Sequence, residues 1–220
     1  MSIKPVERYL RIKDSCRQGL LRYLEDAFSK IPLPENPHIL DIGCGTGVPT
    51  LWLAENTDGS ITAIDPDKNA LDWLKYKISD KKLSDRVTVL NSSFFDYMPD
   101  PECFDLIIAE GFLNVVGFEK GFRQVNGLLR KGGFFVIHDE VRDQETKTEL
   151  IRECNCQLIY SRLLDENVWW DDYYRQLEAE INSPSNTNIG GLFKNDLEEI
   201  AYYRINPAAF RSVYYVVQKL

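Results

Sequence analysis

The 220-residue chain has few of the residues that would indicate a metal site or a membrane segment. It contains two histidines, and the spacing Cys154-Asn-Cys156 is not that of a zinc ligand pair, so we expect no metal. No apolar run approaches the roughly 20 residues that cross a bilayer, and residues 1–10 lack the apolar region of a signal peptide. The sequence therefore predicts a cytoplasmic protein without a membrane partner.

Positive charge is also scarce, because 26 Lys and Arg residues stand against 34 Asp and Glu residues. The lysines at positions 75, 77, 81 and 82 are interrupted by acidic residues, which is typical of a solvated helix face. Proteins that bind nucleic acids neutralise phosphates with a basic stripe. We therefore expect a small-molecule substrate, no nucleic acid partner, and a monomer or homodimer. The five cysteines are an odd number, which favours reduced thiols.

The most informative stretch of the chain is residues 38–55, HILDIGCGTGVPTLWLAE. Its apolar run at 39–42 predicts a buried parallel strand, and Gly43, Gly45 and Gly47 form a turn after it. Pro49 favours a helix start, because the N–H that it lacks would be unpaired there. Strand, glycine turn and helix in this order place a nucleotide-sized site at the carboxyl end of the first strand.

The spacing of these glycines argues against a dinucleotide site. A G-x-G-x-x-G pattern counted from Gly43 needs glycine at position 48, which is Val48, and Asp41 precedes the turn. A pyrophosphate is held by backbone N–H groups at a helix start and would be repelled by a carboxylate. S-adenosylmethionine carries a sulfonium and an ammonium, which a carboxylate would attract. The pattern therefore favours this cofactor.

A second acidic residue, Asp65, ends the strand predicted at residues 60–64. A carboxylate at the tip of the second strand can accept both ribose hydroxyls of an adenosine, in NAD as well as in S-adenosylmethionine. The alternative is that Asp65 caps the following helix at 66–78, a role that Asp67 can also fill.

Further patterns predict an α/β fold with a doubly wound, mostly parallel sheet. Strands are predicted at 86–91, 104–109, 134–137, 156–163 and 210–218, and helices at 118–128, 143–154, 168–181 and 193–205. We expect one domain made of an N-terminal helical cap at 1–36, a cofactor-binding core at 38–163, a helical insertion or lid at 164–209 and an edge strand at 210–220. The segment at 183–191, SPSNTNIGG, predicts a polar, flexible loop.

Four segments, DIGCGTG, AID, FDLIIAEG and LLRKGG, resemble in order and spacing those of class I S-adenosylmethionine-dependent methyltransferases. The resemblance covers about residues 38–141, and the segments at 109–122 and 169–178 are similar to a subgroup that methylates small molecules. It implies a seven-stranded sheet whose last strand lies at the edge, S-adenosylmethionine as cofactor, and N-terminal helices over the site entrance. The implied cofactor-binding residues are Asp41, Gly43, Cys44, Gly45, Gly47, Asp65, Pro66, Ser93, Phe94 and Glu110.

The chain departs from this family at Ser93, where an aspartate commonly accepts a hydrogen bond from the adenine amino group. A serine hydroxyl can still accept that bond, but it carries no charge. Phe94 or a backbone N–H is the alternative adenine contact.

No decisive catalytic motif is present, since methyl transfer needs mainly the alignment of nucleophile, methyl and sulfur. His138, at the end of the fifth predicted strand, is the best candidate base because histidine titrates near neutral pH. A histidine bonded to a neighbouring loop is the alternative. Glu110, at the end of the fourth strand, is expected near the transferred methyl, where it can pair with a substrate amine or contact the cofactor.

The helix at 168–181 carries Trp169, Trp170, Tyr173 and Tyr174 on two adjacent faces. One face must pack on neighbouring elements, and the other can line a pocket for a planar or cationic substrate. The sequence thus predicts N- or O-methylation of a small molecule. Three alternatives stay open: a protein side chain as acceptor, a cofactor-binding protein without catalysis, and an NAD-dependent oxidoreductase.

Overall fold

The computed structural model describes residues 4–220, which divide into two compact units. The unit that we call the sheet unit comprises residues 23–163 and 213–220. The unit that we call the helical unit comprises the described residues up to 22 together with 164–212. The N-terminal helices are therefore divided between the two units.

A seven-stranded sheet forms the centre of the sheet unit, with the strand order β3-β2-β1-β4-β5-β7-β6. The strands are β1 His38–Ile42, β2 Ser60–Asp65, β3 Val87–Asn91, β4 Phe104–Glu110, β5 Leu129–Glu140, β6 Cys156–Leu164 and β7 Ser212–Lys219. β1 to β5 pair in parallel, so their carboxyl ends meet at one edge of the sheet. The predicted doubly wound α/β fold with a mostly parallel sheet is confirmed.

The last strand does not lie at the edge of the sheet, so that expectation is wrong. β7 lies between β5 and β6 and leaves β6 as the edge strand. It runs antiparallel to β5, because Gln218 near its end bonds to the carbonyl of Gly132 near the start of β5, while Tyr214 near its start lies against His138. Its unbroken run of buried residues, 212–217, is typical of a strand that is covered on both faces.

Ten α-helices connect or flank these strands within residues 4–220. They are α1 Pro5–Arg17, α2 Leu21–Phe28, α3 Val48–Asn56, α4 Lys68–Asp80, α5 Leu113–Val116, α6 Phe118–Leu128, α7 Gln144–Glu153, α8 Asn167–Trp169, α9 Arg175–Ile181 and α10 Lys194–Ile205. The helix predicted at 118–128 has the expected bounds, and its stripe of Phe122, Val125 and Leu128 is buried in the core. None of the described helices is long and apolar enough to cross a bilayer.

The helical unit joins α1 to α10 through polar contacts around a buried carboxylate. Asp196 is 2% exposed and accepts a hydrogen bond from the Tyr9 hydroxyl at 3.0 Å. The ammonium of Lys13 lies 2.8 Å from the other carboxylate oxygen of Asp196. A buried carboxylate needs such partners, because an unpaired buried charge is costly.

The segment predicted as a flexible loop is folded into 3₁₀ turns, Pro184–Phe193. Asn186 and Ile189 are buried, and the Asn186 amide donates to the backbone carbonyl and the carboxylate of Glu180. The expectation of a loop without regular structure is therefore wrong, because side-chain hydrogen bonds and a buried apolar residue support 3₁₀ turns in this polar, glycine-containing stretch.

Candidate active site

A cavity of about 310 Å³ opens at the carboxyl ends of β1, β2 and β4, within the sheet unit. Ligand sites in open α/β sheets lie at this edge. The cavity is lined by Ile42, Gly43, Ile64, Asp65, Pro66, Ser92, Ser93, Phe94, Phe95, Glu110, Gly111, Phe112, Val115 and Val116. Six of the ten residues predicted to bind a cofactor are among them, and they come from four separate strand ends, those of β1, β2, β3 and β4.

The glycine turn after β1 bends the backbone through the left-handed region at Gly43, Gly45 and Gly47. The amides of Gly43 and Cys44 both donate to the carbonyl of Ile64 on β2, which fixes the turn to the neighbouring strand. Gly47 has φ of 80°, and a Cβ there would lie 2.3 Å from a methyl carbon of buried Leu74. Only glycine fits at this position.

Asp41 does not line the cavity. It is 3% exposed beneath the glycine turn, and its carboxylate accepts a hydrogen bond of 2.5 Å from the Thr50 hydroxyl of α3. The sequence predicted Asp41 as a cofactor-binding residue whose carboxylate attracts the sulfonium and the ammonium. The buried position instead makes Asp41 a group that ties α3 to β1 and adds negative charge below the cavity.

Asp65 lies at the tip of β2 and is half-buried in the cavity wall. Its carboxylate accepts hydrogen bonds from the Gly45 amide at 2.9 Å and from the Asp67 amide at 2.7 Å. The capping role belongs to Asp67, whose side chain accepts from the amides of Asn69 and Ala70. A carboxylate offers about four lone pairs, so Asp65 can accept further hydrogen bonds from a ligand.

Cys44 lies in the glycine turn, is buried, and makes no disulfide. Burial, with the nearby carboxylates of Asp41 and Asp65, raises the pKa of the Cys44 thiol well above its usual range. This environment favours the neutral thiol over the thiolate. All five cysteines, which lie in the described part of the chain, are free.

The end of β3 contributes Ser93 and Phe94 to the cavity. The Ser93 hydroxyl caps a short 3₁₀ turn, Phe94–Asp96, by accepting from the Phe95 amide at 3.3 Å. Phe94 is buried edge-on against Phe112, with ring centres 5.4 Å apart. This wall is apolar, and the serine hydroxyl is already engaged in turn formation.

Glu110 lines the cavity from the end of β4, and the hydroxyl of Tyr214 donates to its Oε1 at 2.5 Å. The ring of Tyr214 is stacked on His138, with centres 4.4 Å apart and planes 5° from parallel. His138 is 6% exposed and does not line the cavity, so the structure places Glu110, and not His138, at the cavity wall. Sequence reasoning placed Tyr214 in the last predicted strand but missed its contact with Glu110, which lies 104 positions away in the sequence.

The residue after His138 is a buried carboxylate. Asp139 is 3% exposed, and the ammonium of Lys147 on α7 lies 2.7 Å from its Oδ2. The same ammonium donates to the carbonyl of Glu140 and lies 5.1 Å from the ring centre of Phe118. This pair is a structural contact under α7.

The four aromatic residues predicted to line a substrate pocket lie in the helical unit, around a π-helical turn at Trp170–Tyr174. Tyr173 and Tyr174 are buried, whereas Trp169 and Trp170 are half-buried. Trp170 is stacked on Tyr203 at 6.0 Å, and burial raises the pKa of Tyr173 to about 12. The two tyrosines belong to the packing of this unit, and a substrate role for the tryptophans stays a prediction.

A family described as a methyltransferase domain matches residues 33–180 of the chain. A sterol 24-C-methyltransferase of Clavispora lusitaniae is 26% identical over 129 residues, which are 58% of this chain and 34% of that protein. A release factor glutamine methyltransferase of Rhodopirellula baltica is 31% identical over 108 residues, 49% of this chain and 36% of that protein. The chain thus spans about a third of the length of these relatives.

A solved structure, the cyclopropane synthase MmaA2 of Mycobacterium tuberculosis, superposes with a TM-score of 0.76. The superposition covers 90% of this chain and 84% of that chain at 13% sequence identity. At this identity the likeness establishes the fold and leaves the chemistry to be argued from the site.

Proposed function

The chain belongs to the family of methyltransferase domains, and from this premise we propose that it transfers a methyl group from S-adenosylmethionine to a nitrogen or oxygen atom of a small-molecule acceptor. The class I methyltransferase resemblance seen in the sequence is confirmed by the family match and by the fold. The observation that carries the proposed activity is the pair of carboxylates, Asp65 and Glu110, in one cavity beside the glycine turn.

The residues of the cavity suit S-adenosylmethionine better than a dinucleotide. All fourteen lining residues belong to the described part of the chain, and none is Lys, Arg or His. A diphosphate would meet two carboxylates and no cationic lining residue, whereas a sulfonium and an ammonium would be stabilised there. When bound, this cofactor supplies an activated methyl group.

The roles of individual residues follow from their places. Asp65 is positioned to accept ribose hydroxyls, because the Gly45 and Asp67 amides hold its carboxylate at the tip of β2. The apolar wall of Phe94 and Phe95 is suited to the adenine ring, since aromatic rings pack well against planar groups. The glycine turn lets the backbone approach the ligand without a Cβ.

The test is calorimetric titration with S-adenosylmethionine and with S-adenosylhomocysteine. We expect Asp65→Ala to weaken binding tenfold or more, which is about 1.4 kcal/mol, because the ribose hydroxyls lose a charged acceptor. Asp67→Ser is the matched control, since it removes a neighbouring charge and keeps a residue that caps α4. Unchanged affinity in Asp65→Ala would remove the ribose assignment, and preferential binding of NADH would overturn the proposed function.

Turnover with a panel of amines, phenols and carboxylic acids separates catalysis from binding alone. A methyltransferase releases S-adenosylhomocysteine steadily, whereas a cofactor-binding protein without catalysis releases none. A protein side chain is the second candidate acceptor, favoured by the relative named as a release factor glutamine methyltransferase. Methyl transfer to a protein and to no small molecule would decide for that candidate.

A further inference from the structure

Tyr214 connects two residues that were expected to act in catalysis. Its hydroxyl donates to Glu110 Oε1 at 2.5 Å, and its ring lies flat on His138. Tyr214 is 1% exposed and His138 is 6% exposed, so neither ring has room to swing away. The hydrogen bond therefore has a fixed direction.

The register of three adjacent strands sets this arrangement. Glu110 on β4 pairs with His138 on β5, and the amide of Gly111 donates to the His138 carbonyl at 2.9 Å. β7, the next strand, brings Tyr214 against the His138 ring. Pairing of these three strands thus fixes the Tyr214 hydroxyl more tightly than a side chain at the surface would be fixed.

The cavity next to Glu110 has a composition that selects among acceptors. Its charged lining residues are the carboxylates of Asp65 and Glu110, and its remaining walls are mostly apolar or aromatic. An anionic acceptor would be repelled by this surface. An alcohol would need a strong base to lose its proton, and His138 does not line the cavity. A neutral amine needs no such base and gains positive charge as it reacts.

We propose that Tyr214 is a positioning residue that holds the Glu110 carboxylate at the cavity wall to recognise an amine acceptor, an inference that rests on the function proposed above. The amine nitrogen forms a bond to the methyl carbon while the carbon–sulfur bond breaks, and the electron pair of that bond stays on sulfur. Positive charge thereby moves from sulfur to nitrogen, and the methylated nitrogen later releases a proton to water. A carboxylate fixed beside that nitrogen stabilises the developing charge.

The test compares two cofactor analogues by calorimetry. Sinefungin carries a primary amine on carbon at the position of the methylated sulfur, whereas S-adenosylhomocysteine has no group in place of the methyl. The ratio of their affinities therefore reports a carboxylate near the transferred methyl. The variants are Glu110→Gln, which keeps the shape of the side chain, and Tyr214→Phe, which keeps the ring on His138. Tyr215→Phe is the matched control. Tyr215 is also buried, but the carboxylate that acts on its hydroxyl is that of Asp139.

We expect the unaltered protein to prefer sinefungin. Glu110→Gln should lower that preference by about tenfold or more, because a charge-assisted hydrogen bond is lost. Tyr214→Phe should lower it by about threefold to tenfold, the effect of one net hydrogen bond, with the affinity for S-adenosylhomocysteine and the melting temperature little changed. Tyr215→Phe should stay within about twofold of the unaltered protein.

Two results overturn the inference and can be told apart. If the unaltered protein binds S-adenosylhomocysteine but Tyr214→Phe keeps the full preference for sinefungin, Tyr214 does not position Glu110. A full preference retained in Glu110→Gln rejects the amine acceptor in the same way. If the unaltered protein binds neither analogue, the proposed function itself fails and this inference fails with it.

Discussion

Two carboxylates at the carboxyl edge of the sheet, those of Asp65 and Asp139, differ in what covers them. Asp65, at the tip of β2, is half-buried in the cavity and is held by backbone amides. Asp139, near the tip of β5, is fully enclosed under α7 and is neutralised by Lys147. Asp65 directly follows an apolar run, and Asp139 follows one after His138, so the strand pattern alone makes them look alike.

The difference shows that a strand tip becomes a binding site only where no helix closes it. The glycine turn after β1 leaves Asp65 open to a ligand, whereas α7 places an ammonium on Asp139. A buried carboxylate that is paired with an ammonium inside the protein is closed to ligands. Three substitutions test this contrast.

The largest effect is expected from Lys147→Met. Removal of the ammonium leaves the Asp139 carboxylate buried without a cation, which typically costs about 3–5 kcal/mol of unfolding free energy. Chemical denaturation measures the loss. Lys81→Met is the control, because Lys81 pairs with Glu55 at the surface, where both side chains are nearly half exposed, and should cost less than about 1 kcal/mol. Equal losses in the two variants would contradict the contrast between buried and open carboxylates.

Gly47→Ala should have the next largest effect, because it tests the backbone that keeps the cavity open. The left-handed φ costs about 1–3 kcal/mol for a residue with a Cβ, and contact with buried Leu74 adds to that cost. We expect a lower melting temperature together with weaker binding of S-adenosylhomocysteine. Gly127→Ala is the matched control, because a Cβ at this helical position in α6 meets nothing within 4 Å. There alanine should stabilise by about 0.5–1 kcal/mol.

The smallest effect concerns a third carboxylate, Asp26 on α2, which lies outside the cavity. Hydrogen bonds from Tyr160 and Arg162 lower the pKa of Asp26 to about 2. Because the folded pKa is below the unfolded value near 4, the bonds stabilise the fold above pH 4, and this contribution is lost as the pH falls from about 4 to 2.

The variant Asp26→Asn should therefore flatten that part of the stability profile, measured by denaturation at pH 2 to 6. The effect should be at most about 2 kcal/mol, which is the size of this pKa shift, and solvent screening lowers it further because the Asp26 side chain is 28% exposed. An unchanged slope between pH 4 and 2 would show that these bonds do not depress the pKa of Asp26.

Much of the fold follows from local sequence patterns. Apolar runs predicted β1, β2 and β4 to within one residue, because a parallel strand covered on both faces must be apolar, and alternation predicted β3 equally closely. β5 begins earlier than expected, at Leu129, since that residue pairs with Phe104 before the register shifts. The interior place of β7 depends on pairing between distant strands, which periodicity does not report.

The parts of the site that are marked by neighbouring residues in the sequence were predicted, and the contacts between distant residues were not. The glycine turn, Asp65 and Glu110 stand at strand ends that the sequence marks. The burial of Asp41 depends on Thr50, which approaches only when α3 packs back on β1. Tyr214 reaches Glu110 across 104 positions of sequence, and no local signal records that contact.

The interior position of β7 has a consequence for synthesis on the ribosome. β6 is translated well before β7 and has no other partner in the sheet. The nascent chain therefore exposes unpaired backbone groups on both β5 and β6, the stage at which strands of neighbouring chains can join. Insertion of β7 closes this gap and delivers the Tyr214 hydroxyl to Glu110 in one event.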